Sequence, residues 1–305
     1  PLFTASYLDE GLKSLEKQVL DKGLLFMGEL GLDPGIDHMS AMEIIHRIKA
    51  KGGQIISFKS HCGGLIAGES DTNPWHYKIS WNPRNIILAG KAGALYLEQS
   101  EEKHIPYESL FAMPGKIEVK GWGTYGYYPN RNSLQYIDTY QLLGIENFVR
   151  TTLRHPHFFK GWHQIVAIGL TDESTISLTP NTTIKKWYQS ITKKEHHDDP
   201  IVQEQFDFLE FNREVIIPSA LQSNAAILQW ILEDKWKLNK GDKDQIIMVH
   251  EFEYLIAGQK HVLQSDLVVT GIDDQYTAMA KTVGLPLAIA ACLYLEGCIQ
   301  LKGIH

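Results

Sequence analysis

Leu24-Leu25-Phe26-Met27-Gly28-Glu29-Leu30-Gly31-Leu32-Asp33-Pro34-Gly35 is the stretch on which the fold turns. Its first four residues are a short apolar run of the buried-strand type. Before it, Leu8, Leu12, Leu15 and Val19 recur at helical spacing and the pattern stops at Gly23. After it comes a loop, then a second helical pattern through Ile36, Met39, Ile44, Ile45 and Ile48 that ends at Gly52-Gly53. Asp33 suits the helix N-cap, with Pro34 at the first helical position. Helix, buried strand, loop and helix in that order belong to a parallel α/β sheet, whose crossover units come in series. The expectation is therefore a chain that begins in mid-domain.

Working outward, Gln54 to Ser60 alternates like a strand and runs into His61-Cys62-Gly63-Gly64, and Lys116 to Tyr128 alternates again. Both read as strands of a mixed sheet. From about Ile145 to Leu238 the pattern is helical, with an apolar stripe of Leu221, Ala225, Leu228, Leu232 and Trp236 and a polar break from Lys193 to Pro200. Ile246 to Leu255 and His261 to Val269 flank Ala257-Gly258-Gln259-Lys260 at hairpin spacing. Tyr276 to Leu295, nearly all apolar around Gly284-Leu285-Pro286, reads as two helices or one kinked helix in a core. The expected division is a mixed-sheet α/β domain from 37–144 and 245–275, an all-helical domain at 145–244, and C-terminal helices at 276–305.

The 305 residues allow two or three domains, and 44% hydrophobic content excludes a disordered polymer. With 29 Lys+Arg against 36 Asp+Glu, net charge −7, and no basic block, the footprint for a phosphate backbone is missing, so no nucleic-acid partner is expected. No run is read as reaching the roughly 18 apolar residues that cross a bilayer, so no membrane partner is expected either. Cys62, Cys292 and Cys298 have no framework spacing, which points to a reducing compartment, the cytoplasm by default. The opening Pro-Leu-Phe-Thr-Ala-Ser-Tyr is not a targeting segment.

Dinucleotide, phosphate, zinc-protease and serine-hydrolase motifs are all lacking. Three loop constellations remain, at strand ends and helix starts where ligands of open α/β sheets sit. In Leu32-Asp33-Pro34-Gly35-Ile36-Asp37-His38, free N–H groups suit an anion and the aspartate suits an amine, although plain helix capping explains the same residues. Cys62 can donate or relay a proton, or be an inert buried thiol. Arg131 and Arg154 can each take a carboxylate bidentately, together suiting a multiply carboxylated ligand; solvation or a structural ion pair is the plainer reading of each. No metal is expected: zinc needs about four ligands, Cys62, His61 and His38 lack the spacing, and His196-His197-Asp198-Asp199 reads as a solvated charge run.

The blocks Gly31-Leu32-Asp33-Pro34-Gly35-Ile36-Asp37-His38, Cys62-Gly63-Gly64-Leu65, Asn73-Pro74 with Tyr77-Lys78-Ile79-Ser80-Trp81, Tyr128-Pro129-Asn130-Arg131, Thr152-Leu153-Arg154 and Ala278 to Pro286 resemble, in order, the glutamate-forming saccharopine dehydrogenases, or saccharopine reductases. The resemblance implies an NAD- or NADP-linked oxidoreductase of lysine metabolism that splits saccharopine, a secondary amine with three carboxylates, into glutamate and 2-aminoadipate 6-semialdehyde. The long strand-like segments near 116–128 and 246–269 offer an edge or face for a second copy, and the resemblance favours a homodimer. By motif match, Ser6, Tyr7, Asp33, Arg131, Thr152, Leu153 and Arg154 resemble the substrate contacts. Ala5, Leu32, Asp33, Met39, Asn82, Pro83 and Arg84 resemble the cofactor side. Tyr7, Asp33 and Cys62 form the expected catalytic cluster: Asp33 favours the cationic amine, and Tyr7 or Cys62 orders water or relays a proton.

Two departures stand out. His61 replaces the family's usual Tyr, and Ile66-Ala67-Gly68-Glu69 replaces a stretch richer in proline. The resemblance also makes residues 1–36 the trailing edge of a truncated Rossmann cofactor domain, so the chain by itself is expected to bind no dinucleotide tightly and to be inactive. Two alternatives stay open at this point. One is a related dehydrogenase of another N-linked amino-acid or carboxylated polyamine adduct. The other is a non-catalytic amino-acid-binding or dimerising module.

Overall fold

The computed structural model describes residues 1–192 and 196–305; Lys193-Lys194-Glu195, the start of the polar break, lie outside the described residues. Strand β1 (Leu2–Phe3), helical turns α1 (Glu10–Lys13) and α2 (Glu16–Asp21), and strand β2 (Leu25–Met27) come first, and helix α3 (Ile36–Ala50) feeds the long strand β3 (Gln54–Ile66). Helix α4 (Pro83–Leu88) precedes β4 (Ala94–Glu98), β5 (Glu101–Ile105), β6 (Gly115–Val119), β7 (Gly123–Pro129) and β8 (Arg131–Asn132). Next come α5 (Gln135–Thr139), β9 (Asn147–Arg154), and helices α6 (Pro156–Ala167), α7 (Ile184–Ile191), α8 (Pro200–Leu209) and α9 (Asn224–Lys235). Strands β10 (Asp244–Ile256) and β11 (Gln259–Thr270), helix α10 (Ala278–Leu295) and β12 (Gly303–Ile304) follow.

The mixed sheet is there: nine strands with the central order β11-β10-β3-β9-β4-β5, β3 running parallel to β9 and antiparallel to β10. The expected hairpin turns at Ala257 and Gly258, both with positive φ. The segment 116–128 is itself a hairpin of β6 and β7 rather than one strand. One boundary moves further. Residues 147–154 are not helical but form β9, at the middle of the sheet, so the helices begin only at Pro156. The alternation of Arg150 to Arg154 covers only five residues, too short a run to stand apart from the helical pattern after it.

The two largest of the hydrophobic cores among the described residues hold the sheet. Ala41, Ile44, Ile45 and Ile48, the helical stripe of α3, pack with Ile55, Phe58, Phe148 and Phe252 of the sheet. The second is aromatic: Trp75, Trp162, Trp187 and Trp236 cluster with Phe158, Phe206, Leu228 and Leu232 of the helices and with Ala94 and Tyr128 of the strands. The helical region therefore shares one core with the sheet and is not a separate domain by packing. Each such large side chain contributes about 1.5–3 kcal/mol when fully buried.

The ends of the chain meet. β1, β2 and β12 form a small parallel sheet, with Gly303 and Ile304 paired to Leu25 and Phe26. Leu8 to Gly23 is two short helical stretches, α1 and α2, rather than one helix. The expectation of a buried C-terminal helix is corrected. α10 is one 18-residue helix through Pro286, in which only Ala278, Thr282 and Ala290 are buried. Leu285, Ile289, Leu293 and Leu295 face outward. It is also long and apolar enough to cross a membrane by length and composition, contrary to the sequence reading. Apolar composition reports what surroundings a helix prefers, not that this chain supplies them.

His250 links fold and pH. It lies 2% exposed between β10 and α3, its Nε2 2.8 Å from Ser40 Oγ. Burial pushes its pKa down to about 4. Below its unfolded value of about 6.5 the unfolded chain binds the extra proton, so stability is present at neutral pH and is lost as pH falls toward 4. The expected loss from this group is roughly 2 kcal/mol at pH 5. Urea midpoints at pH 7 and pH 5 check it: His250→Gln should flatten the wild-type dependence, and an equal slope in both proteins would refute the assignment.

Candidate functional site

Strand register builds the site. Met248, Cys62, Thr152 and Tyr128 stand side by side across β10, β3, β9 and β7. Since side chains alternate along a strand, Arg150, Thr152 and Arg154 share the face that carries Cys62, and Arg150 to Arg154 spans about 13 Å. A cavity of about 580 Å³ opens over this row, lined by Cys62, Thr152, Tyr128 and Arg154 from the sheet and by Ser6, Tyr7, Leu32 and Asp33 from the loops. Gly63 turns its Cα toward Leu153, where a Cβ would stand 2.7 Å from the Leu153 carbonyl, so the strands approach this closely only with glycine there.

The Asp33 loop is not the helix cap the sequence suggested. α3 starts at Ile36 with Gly35 in the cap position, at φ 146, where a Cβ would stand 2.0 Å from the Gly31 carbonyl oxygen. The Gly31 N–H donates to the Pro34 carbonyl, and the Gly35 N–H donates to Asp37 Oδ1 at 2.6 Å. That closure frees Asp33 to face the cavity.

Arg150 lies between the two aspartates. One terminal nitrogen donates to Asp33 Oδ1 at 2.5 Å and to Asp37 Oδ2 at 2.6 Å, and its guanidinium sits 4.5 Å from the Tyr136 ring centroid. Tyr7 donates its hydroxyl to Asp33 Oδ1 at 3.2 Å. With both carboxylates ionised and one guanidinium, the cluster carries one uncompensated negative charge, which an amine cation can neutralise. Burial, opposed by Arg150 and reinforced by Asp37, raises the Asp33 carboxyl above its ordinary value, so Asp33 takes up a proton more readily than a free aspartate. Burial and then the Asp33 charge push the Tyr7 phenol well up, and burial followed by Asp33 and Asp37 does the same to the Cys62 thiol. Both therefore stay protonated at neutral pH and act as donors rather than bases.

The cationic end is Arg154. It is 4% exposed, lies 5.0 Å from the Tyr77 ring centroid, and donates from Nη1 to the Leu153 carbonyl at 2.8 Å. Among the described residues no carboxylate lies within ion-pair distance of it, and its Nε has no partner. A buried unpaired guanidinium costs several kcal/mol unless an anion joins it. Arg131 is exposed, sits at positive φ and lies over Tyr7, 5.0 Å from the ring centroid.

Of the residues expected at the site, Ala5, Ser6, Tyr7, Leu32, Asp33, Cys62, Arg131, Thr152 and Arg154 do line one cavity. Others do not. Leu153 points through the sheet into the cluster with Leu65, Ile117 and Val249, because it alternates with Thr152 and Arg154. Met39 is an exposed residue of α3. Asn82 caps α4 with Pro83 at its start, and Arg84 pairs with Glu173; from that segment Trp81, Asn85 and Ala89 reach the cavity instead. His61 faces away from Cys62, with Nδ1 2.7 Å from Thr151 Oγ1 and Nε2 3.1 Å from Glu251. The sequence reading missed Arg150, Asp37, Met279 and Val283. Arg150-Thr151-Thr152-Leu153-Arg154 shows the strand alternation that would have placed Arg150 beside Thr152. Met279 and Val283 arrive because buried Asp244 accepts the Ala278 and Met279 N–H groups at 2.6 and 2.8 Å, fixing the start of α10.

Residues 31–305 match the family described as saccharopine dehydrogenase C-terminal domain. The chain belongs to the saccharopine dehydrogenase family. Among similar proteins, the NADP+, L-glutamate-forming saccharopine dehydrogenase of Pyricularia oryzae is 31% identical over 99% of this chain and 72% of its own length. The mitochondrial alpha-aminoadipic semialdehyde synthase of Bos taurus is 34% identical over 99% of this chain, which spans 35% of that protein. The apo structure of the L-Glu-forming saccharopine dehydrogenase of Saccharomyces cerevisiae has a TM-score of 0.83 at 29% identity, covering 99% of this chain and 72% of that one. This family membership matches the order of motifs from the Asp33 loop to α10.

Proposed function

We propose that this chain grips the substrate in an oxidoreductase that interconverts saccharopine with glutamate and 2-aminoadipate 6-semialdehyde. One observation carries the reading: a buried guanidinium without a counter-ion, Arg154, shares a cavity with an aspartate cluster of net negative charge. Saccharopine offers the matching groups, carboxylates for Arg154 and Arg131 and a secondary ammonium for Asp33. A bound nicotinamide supplies the hydride acceptor. Ala5, Leu32, Met279 and Val283 also line this cavity, and apolar side chains of this kind suit the face of a planar ring. NADP is the proposed form, after the named dehydrogenase relatives.

Asp33, with its raised pKa, takes the ammonium proton so that the nitrogen lone pair can assist hydride loss. Tyr7 and Cys62, held protonated, donate hydrogen bonds and position the water that splits the imine. Orientation of the reacting carbon supplies a further share, since proximity effects reach about 7–11 kcal/mol.

The parallel sheet β1-β2-β12 and the outward apolar face of α10 are proposed as the surface on which a Rossmann dinucleotide-binding domain sits. A protein domain suits α10 better than a bilayer, because Asp244 ties its start to β10. The 12-residue edge strand β11 is the proposed contact for a second copy. The three free cysteines accord with a reducing compartment, and the cytoplasm is proposed. An adduct with fewer carboxylates is disfavoured, because both Arg131 and Arg154 open on the cavity. The test is NAD(P)H formation from saccharopine by a protein that joins this chain to a dinucleotide-binding domain. Turnover is expected with NADP+; no reduction with either cofactor between neutral and alkaline pH would contradict the reading.

A further inference from the structure

Beside the cavity, where β9 hands over to α6, two histidines at the start of α6 meet a third from a distant part of the sequence. His76 comes from the segment between β3 and α4, and His155 and His157 flank Pro156 at the start of α6. One ring nitrogen from each lies within 4.8 Å of the others. His76 is at φ 51, a left-handed conformation that a non-glycine residue adopts at some cost. Its Nδ1 meets Asp71 Oδ2 at 2.6 Å, which sets the tautomer and turns the Nε2 lone pair toward His157 Nδ1, 3.2 Å away.

That separation is informative. Two nitrogens on a tetrahedral zinc, each at about 2.0–2.1 Å, stand about 3.3 Å apart, so His76 and His157 already have the spacing of two ligands on one ion. His155 lies over His76 with ring centroids 3.7 Å apart. Its Nδ1 accepts the His157 N–H at 3.2 Å, which puts the ring proton on Nε2, so ligation through Nε2 requires this long bond to be given up and the proton to move to Nδ1. Asp71 Oδ1 is buried with no partner in the protein. A carboxylate holding the far nitrogen of a histidine is the usual outer-shell arrangement of a metal ligand.

We infer that His76, His155 and His157 bind one divalent transition-metal ion of the zinc class, with Asp71 orienting His76 and a water as fourth ligand. Metal binding requires His155 to release the His157 N–H and turn, closing a ring nitrogen that now lies within 4.8 Å of the other two to ligand distance. The ion would clip the loop that carries Tyr77 to the turn that carries Arg154, whose guanidinium rests over the Tyr77 ring. Spacing along the sequence gives only the pair His155-Pro156-His157; His76 joins it through the fold.

Cobalt(II) tests it, through its visible absorption. Chelator-stripped protein titrated with Co2+ is expected to saturate at one equivalent with the absorption of a four-coordinate ion, and Zn2+ should displace it. His155→Asn keeps an N-cap side chain for α6 while deleting the imidazole; with His157→Gln as second variant, each should weaken Co2+ binding at least tenfold. Asp71→Asn should weaken it about 10–100-fold. Zn2+ should raise the thermal midpoint of the wild type and leave that of both histidine variants unchanged. Absence of saturable Co2+ binding by the wild type would overturn the inference. So would histidine variants that bind as the wild type does.

Discussion

Arg154→Met is expected to lower kcat/KM for saccharopine by about 30- to 1,000-fold while leaving the protein as stable as before or more so. Both halves follow from one fact. Arg154 is buried among Tyr77, Phe158 and the strand backbone, with no carboxylate at ion-pair distance among the described residues. In the empty protein it is an uncompensated charge, and replacing such a charge by an apolar side chain of similar length is neutral or stabilising. With substrate bound, the same guanidinium makes a charge-assisted pair worth about 2–4 kcal/mol, and each 1.4 kcal/mol is about tenfold in rate. Steady-state kinetics with saccharopine and NADP+ on the chain joined to a dinucleotide-binding domain, together with a thermal melt, check both halves. Unchanged kcat/KM would remove Arg154 from substrate binding, and a large fall in stability would make it a structural residue.

Arg150→Met should behave in the opposite way. Arg150 is 3% exposed, and its single bridging nitrogen satisfies both Asp33 and Asp37. Removing it leaves two buried carboxylates facing each other without a cation, a loss of about 3–5 kcal/mol. The loss has a definite pH dependence. Without Arg150 the Asp33 carboxyl, already raised by burial and by the neighbouring Asp37, loses the guanidinium that opposes the rise, so the folded variant binds more protons there than the unfolded chain. The penalty is therefore largest at neutral pH and shrinks as pH falls and Asp33 protonates. Denaturant midpoints of wild type and variant at pH 7 and pH 5 give the measurement. A variant as stable as the wild type at pH 7 would mean that the cluster is solvated and not a charge store.

The contrast between these two arginines explains what the sequence could and could not show. Arg154 stood out because it closes the Thr152-Leu153-Arg154 motif. Arg150, four residues earlier on the same strand face, does not, because its alternation with Thr152 and Arg154 is short and runs straight into a helical pattern. The mixed sheet and the β10–β11 hairpin were legible, since period-2 alternation and a two-residue Ala-Gly turn are local signals. The Asp33 loop was legible as a ligand-facing turn but not in detail: Gly35, not Asp33, occupies the cap, and only the close approach of Gly31 shows why. Asn82, Pro83 and Arg84 carried the family's pattern, yet helix α4 turns Trp81 and Asn85 to the cavity instead. In the histidine cluster only His155 and His157 are neighbours in sequence, and His76 reaches them by tertiary convergence.

The central claim is that the two ends of the cavity recognise opposite charges on one molecule. A crystal structure of the protein with saccharopine bound tests it most directly. The expected result is a carboxylate paired with Arg154, a second near Arg131, and the secondary amine within hydrogen-bond distance of Asp33. A ligand whose carboxylates avoid Arg154, or whose nitrogen lies away from the Asp33–Arg150–Asp37 cluster, would contradict it.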